Sequence, residues 1–133
     1  MPPTKIVIMG LDPALVPPGD AAYAAVPGLS GEAIMQALAE NRERLHALGF
    51  ETEPCAVNAG PSVEVAVGAC LARFRFDGVV VGGGIRLPPA NTPLLEQVVN
   101  AVRDQAPWAR FCFNIGPLDT VEAVLGVFPR DGA

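Results

Sequence analysis

Histidine and lysine are almost absent from this sequence, and charge of either sign is scarce. The 133 residues include one histidine and one lysine, and 17% of them are charged, against about 25% in ordinary globular domains. The formal net charge is −5, so the chain offers no basic stripe for a phosphate backbone. We therefore expect no nucleic-acid partner. A single histidine also gives little support to a zinc site, and we predict no metal.

Long hydrophobic runs and a leader segment are lacking as well. No run approaches 18 consecutive apolar residues, the length typical of a membrane-spanning helix. The N-terminal MPPTKIVIMG has neither the charged segment nor the cleavage site of a signal peptide. We expect a soluble cytoplasmic protein with no membrane partner.

Cysteines are few and do not form a CxxC pair. Cys55, Cys70 and Cys112 each sit inside an apolar pattern. This context is typical of buried, reduced thiols rather than of a redox or metal site.

What the sequence does contain is a regular alternation of strand and helix patterns. Short β-branched or aromatic runs predict strands at 5–9, 50–57, 78–81 and 110–114. Helical spacing predicts helices at 31–48, at 63–74, from Thr92 until Pro107, and at 120–128. Alternation with short connections indicates one α/β domain, residues 1–133, with a parallel sheet between two helical layers. Pro54 cannot donate to a ladder, which puts the second strand on an edge and favours the order 2-1-3-4.

That order resembles a flavodoxin-like, Rossmann-like topology shortened by one unit. The resemblance concerns architecture only, because the chain has neither the phosphate loop of flavodoxins nor the acidic residues of receiver domains.

Three local signals mark helix ends. Ser62 is placed to cap the second helix, and Gly49 to terminate the first. Asp119, with Glu122 three residues later, has the spacing of a capping box for the last helix.

One connection, at residues 11–29, is much longer than the others. It contains four prolines and is more apolar than a solvent loop. A lid over a site, an arm that grips a second subunit, and a packed surface loop are the three interpretations.

The predicted site lies at the carboxyl rim of the sheet, where strand order reverses between the first and third strands. Glycines there allow backbone N–H groups to approach a ligand, and Arg86 is the cation that the topology puts on this rim. The candidate ligand-binding residues are Gly10, Asp12, Gly82, Gly83, Gly84, Arg86 and Asn114.

Structural interpretations of the same residues stay open. The glycines would allow positive φ at a tight strand exit, and Arg86 would pair with Asp12 or Asp119. The similar strand exits Asn58-Ala59-Gly60-Pro61 and Asn114-Ile115-Gly116-Pro117 would use asparagine to bind nearby backbone.

The sequence does not specify a reaction. The segment GGGIR is neither a dinucleotide fingerprint nor a phosphate loop, so no dinucleotide or nucleoside triphosphate is specified and the cofactor stays unknown. Asp12 is a weak candidate for a general base or nucleophile. We predict a protein that binds a small anionic or polar metabolite at the rim, without deciding whether it is an enzyme. The alternative is a non-catalytic, homo-oligomeric assembly domain.

Self-association is expected under either function. Half of the residues are hydrophobic, and the strand RFCFN has no proline or inner charge to blunt its edge. We predict a homodimer that covers this edge, the last helix or the long loop.

Overall fold

The computed structural model describes residues 2–12, 15, 31–116 and 118–131. Strands and helices alternate along the described chain, and a three-residue 3-10 helix at Pro89–Asn91 precedes the fourth α-helix. The elements are β1 (Thr4–Gly10), α1 (Gly31–Ala47), β2 (Phe50–Ala56), α2 (Val63–Leu71), β3 (Gly78–Val81), α3 (Gly83–Arg86), α4 (Thr92–Gln105), β4 (Arg110–Phe113) and α5 (Thr120–Val127).

The four strands form one parallel sheet of order β2-β1-β3-β4, as the sequence predicted. β1 is central, with Thr4 opposite Phe50 of β2 and Ile6 opposite Gly78 of β3. Within the described ranges β4 pairs with β3 alone, so β2 and β4 are the edges of the four-stranded sheet. The position of Pro54 on the edge strand β2 confirms the argument from its missing N–H.

Helices cover both faces of the sheet, which confirms the three-layer α/β class. Alternate residues of β1 face opposite layers: Val7 and Met9 pack under α2 and α4, whereas Ile6 and Ile8 pack under α1 and α5. All four residues of β3 are buried, as expected for a strand covered on both faces.

Two of the three predicted helix ends are confirmed. Ser62 accepts a hydrogen bond from Val65 N–H at 3.2 Å and caps α2. Gly49 has a φ of +91°, the left-handed conformation that glycine adopts at low cost just after a helix. The capping box at α5 is wrong, because the Asp119 carboxylate turns back to accept from Ile115 and Gly116 N–H.

Helix lengths range from four to seventeen residues. The short helix α3 was not predicted, because its glycine-rich sequence has no helical periodicity. None of the helices in the described ranges combines the length and apolarity needed to cross a bilayer.

Most of the predicted long loop lies outside the described residues. The lid, arm and surface-loop interpretations of residues 11–29 therefore stay predictions.

The cysteines correct one expectation. Cys55 of β2 and Cys70 of α2 form a disulfide, where reduced thiols were predicted; Cys112 is free and buried, as predicted. The physical reason is the docking of α2 on the sheet, which brings the two Cα atoms to 6.0 Å, inside the range that a disulfide spans. A spacing of 15 residues in sequence does not reveal that proximity.

Candidate functional site

The carboxyl ends of β1 and β3 lie side by side at the centre of the sheet. Gly82 N–H donates to the Met9 carbonyl at 2.9 Å, continuing the ladder one residue beyond β3. From β1 the chain crosses to β2 on one side, then passes back over β1 to β3 on the other. Open parallel sheets bind ligands at such a reversal.

The β1/β3 crevice is the space at these two exits, bordered by Gly10, Leu11, Gly82 and Gly84. Among the described residues, a Cβ atom at Gly10 would meet no other atom within 4 Å, so in this part of the chain the glycine borders open space. Within the described part of the chain, the N–H groups of Leu11 and Gly84 have no hydrogen-bond acceptor. Two half-buried backbone donors are therefore available at the point of strand reversal.

Asn58, at the exit of β2, holds the β1 wall of the crevice from the side away from β3. Its Oδ1 accepts from Asp12 N–H at 2.8 Å, and its Nδ2 lies 3.5 Å from the Asp12 carbonyl, which also accepts from Leu15 N–H. This half-buried amide thereby binds the exit of β2 to the exit of β1. Asp12 lies at the mouth of the crevice with its main chain held on both sides.

Gly82 and Gly83 serve close packing, and none of the three glycines has an unusual backbone angle. Gly82 has a φ of −65°, and the described residues with positive φ are Gly49 and Gly60, so the proposed positive φ at this strand exit is wrong. A Cβ at Gly82 would lie 3.1 Å from the Met9 carbonyl oxygen. At Gly83 it would approach the Ile115 carbonyl more closely than side-chain carbons do in folded proteins.

The β3/β4 corner, where the exits of β3 and β4 meet, is organised by Asn114. Its Oδ1 accepts from Gly83 N–H at 2.9 Å, and its Nδ2 donates to Thr120 Oγ1 at 3.0 Å. Asn114 is 2% exposed, so both polar atoms of the amide are used inside the protein. Asn114 therefore positions the start of α3.

Arg86 lies over the same corner. Its Nε donates to the Val81 carbonyl at 3.0 Å, Nη2 donates to the Asn114 carbonyl, and the guanidinium carbon is 4.7 Å from the centre of the Phe113 ring. These bonds go to main-chain carbonyls rather than to Asp12 or Asp119. Burial lowers the pKa of Arg86 from its usual value, and the Asp119 carboxylate partly opposes that shift.

The predicted rim residues are thus divided between two places. Gly10, Asp12, Gly82 and Gly84 border the β1/β3 crevice. Gly83, Arg86 and Asn114 form the β3/β4 corner.

Sequence reasoning missed the unpaired Leu11 N–H and the hydroxyl of Thr120. A backbone donor carries no residue-type signal, and only its position just after a strand could have indicated it. The structural interpretation of the two asparagine exits is confirmed, since each amide oxygen accepts from a backbone N–H just beyond a neighbouring strand.

Few side chains at the rim could take part in a reaction without a bound metal ion or other group. Among the described residues, no three or more histidine, cysteine, aspartate or glutamate side chains are grouped to hold a metal ion. Backbone N–H groups and one guanidinium are instead suited to hold an anion or a polar oxygen.

Comparison with known proteins adds no relative. No protein-family model matches the chain, and neither the curated proteins nor the solved structures searched contain a significant match.

Proposed function

We propose that this protein binds a small anionic or polar metabolite in the β1/β3 crevice. The observation that carries the proposal is the pair of unpaired N–H groups, of Leu11 and Gly84, at the strand-order reversal beside the open space at Gly10. Half-buried donors without an acceptor are unfavourable unless water or a ligand supplies one. A carboxylate or phosphate oxygen is such an acceptor, and its negative charge is attracted to the partial positive charge of the two N–H groups.

Arg86 would contribute mainly through its charge. A guanidinium has five N–H donors, and two groups, Nε and Nη2, are committed to carbonyls. The remaining donors face a ligand only if it extends past Gly83 toward the corner. Asp12, at the mouth of the crevice, stays the candidate for a general base if the bound molecule reacts.

A thermal-shift screen tests the binding. Phosphorylated sugars, nucleotides and small carboxylates should include compounds that stabilise the protein, by about 2.7 kcal/mol at a hundred times the dissociation constant. For a domain of this size such stabilisation raises Tm by several degrees, which the screen resolves.

The decisive variant is Gly10→Leu, which fills the crevice, with Gly126→Leu as its matched control. A Cβ at Gly126, on α5, also meets no atom of the described residues within 4 Å. Gly10→Leu should abolish the shift produced by a hit, whereas Gly126→Leu should keep it. Hits that bind Gly10→Leu as well as the unaltered protein would place the site elsewhere. Arg86→Ala is less informative, because it also leaves two carbonyls without donors.

We further propose a homodimer in the cytoplasm. The Cys55–Cys70 disulfide is evidence against the cytoplasmic part of this proposal, because cytosolic reductants keep most thiols reduced, and a cytoplasmic chain is expected to have this pair reduced. Trapping the thiols of freshly lysed cells with an alkylating reagent would count them by mass: one modified cysteine indicates an oxidised pair, and three indicate a reduced chain.

The second candidate function is a non-catalytic assembly domain. Large apolar side chains exposed around β4 favour it. A dimer that binds no compound in the screen would favour assembly over ligand binding.

A further inference from the structure

The two edges of the sheet are protected to different degrees. β2 carries Pro54 and two glutamates in ion pairs, Glu51 with Lys5 at 2.6 Å and Glu53 with Arg73 at 3.5 Å. Proline and charge are the usual means of preventing an edge strand from pairing with another chain. β4 has neither within its three residues after Arg110.

An apolar patch surrounds the unprotected edge. We call the β4 patch the exposed large apolar residues at or beside the end of β4: Leu87, Phe113, Ile115 and Leu118. Phe113 is 52% exposed and Ile115 is 72% exposed. Contiguous exposed apolar surface next to an open strand edge marks a protein interface.

The direction of the outer backbone groups follows from the pairing with β3. Arg110 N–H donates inward to the Asp77 carbonyl, so Arg110 and Cys112 face β3. Successive residues of a strand direct their N–H and C=O groups to alternate sides, so those of Phe111 and Phe113 point outward, away from β3. Both residues therefore present a donor and an acceptor at the free edge.

We infer that β4 pairs antiparallel with β4 of a second copy across a two-fold axis, with Cys112 opposite Cys112. This register pairs both outward residues of the strand, Phe111 of one copy with Phe113 of the other. Shifting it by two residues leaves one of them opposite a residue beyond the strand. The inference deepens the homodimer of the proposed function and is independent of the crevice.

Side chains support the same register. The rings of Phe111 and Phe113 stack at 6.0 Å on one face, so pairing would place four aromatic rings together across the axis. On the other face, Arg110 of one copy comes opposite Asn114 of the second. There it meets the Asp119 carboxylate, which is bound to the N–H groups of Ile115 and Gly116. The charges at the two ends of the strand are therefore complementary.

Pairing of identical edges requires that the partner is a second copy, and it limits the assembly to two chains. Pairing of one free edge with itself consumes that edge in both copies. A sheet with two open edges would extend into a filament, but the ion pairs and Pro54 protect β2.

Light scattering at micromolar concentration tests the interface with matched variants. The unaltered protein should have twice the 13.8 kDa mass of the chain. Phe113→Asp and, separately, Ile115→Lys should weaken dimerisation at least about 100-fold, because each puts a charge into the centre of the patch. Phe74→Asp is the control, since Phe74 is a 39% exposed phenylalanine near the opposite end of the sheet. It should stay dimeric.

Amide hydrogen exchange by NMR tests the register. Phe111 and Phe113 N–H have no acceptor within the described part of the chain. Both should therefore exchange slowly in the dimer. In monomeric Phe113→Asp, the Phe111 N–H should exchange rapidly. Slow exchange in a monomer would mean that another segment of this chain covers the edge, which overturns the proposal. A dimer that survives both patch variants, or one with rapidly exchanging Phe111, overturns it too.

The ligand screen on Phe113→Asp separates the two proposals. Binding by a monomeric variant leaves the crevice proposal standing with the interface confirmed. A dimer that binds no compound leaves the interface standing alone.

Discussion

The β1/β3 crevice and the β3/β4 corner are neighbouring parts of one rim, yet their polar groups are used in opposite ways. In the corner, Asn114, Thr120 and Arg86 satisfy one another or main-chain carbonyls. In the crevice, two backbone donors have no acceptor among the described residues, and Gly10 borders open space. The difference teaches that an asparagine or arginine at a strand exit is not in itself a ligand contact. Such a side chain can contact a ligand only where some of its donors or acceptors have no partner within the protein.

Valine at Gly83 should have the largest effect, because its side chain would enter the space of the Ile115 carbonyl. The N–H groups on both sides of that carbonyl, of Ile115 and Gly116, are bound by Asp119, which restricts its movement, so we expect Gly83→Val to lower the free energy of unfolding by about 3 kcal/mol or more. Gly10→Val is the matched change in the crevice and should stay within about 0.5 kcal/mol of the unaltered protein. Urea denaturation measures both. Equal losses would erase the distinction between corner and crevice.

The pH dependence of stability should reveal the packing beneath the corner. Burial raises the pKa of the Cys112 thiol from 9.0 to about 11, which the charge of Arg110 partly opposes. Between those values the unfolded chain loses a proton that the folded protein keeps, so stability falls as pH rises through this window. The full loss is about 2.7 kcal/mol, from about 1.4 kcal/mol for each pKa unit.

Cys112→Ala is the control for that measurement, made by denaturation at pH 8 and at pH 11. It should remove this part of the pH dependence while leaving that of other groups. The paired Cys55 and Cys70 do not titrate, so they contribute nothing to the slope. An identical slope in both proteins would show that Cys112 is less buried than described.

Removal of the corner amide should come next in size. Asn114→Ala leaves the buried Gly83 N–H and the Thr120 hydroxyl without their partner, a loss of about 2 kcal/mol. Chemical denaturation gives the value, and the variant should also speed exchange of the Gly83 amide. A loss below about 0.5 kcal/mol would mean that water replaces the amide and that the corner is open like the crevice.

The equivalent change in the crevice wall should be the smallest. Asn58 is half-buried, so water can replace its bond to Asp12 N–H, and Asn58→Ala should cost no more than about 1 kcal/mol. Its effect should instead appear as weaker binding of any compound found in the screen, measured by calorimetry. A stability loss as large as that of Asn114→Ala would make the two exits alike.

Strand order could be predicted from the sequence because it depends on few, strong signals. Pro54 indicates an edge, and the unbroken apolar run of β3 indicates a strand covered on both faces. These properties belong to single segments. The sequence therefore carried them without knowledge of the tertiary contacts.

The division of the rim could not be predicted in the same way. Asn58 and Asn114 share the pattern Asn-x-Gly-Pro, and only the neighbouring strand and helix decide which becomes buried. Burial of Asn114 depends on α5, whose Thr120 accepts its amide. The bonds of Arg86 to two carbonyls depend on α3, a helix that periodicity does not indicate. The disulfide likewise depends on the docking of α2.

The Cys55–Cys70 disulfide has a consequence for the energetics of the crevice. It links β2 to α2 around the turn that carries Asn58, and so restricts that turn at both ends. Ordering one residue of a freely moving loop costs about 1–2 kcal/mol of conformational entropy. A molecule that reaches the crevice meets a wall whose entropy was already lost during folding, and preorganisation of this kind raises affinity without adding a single contact.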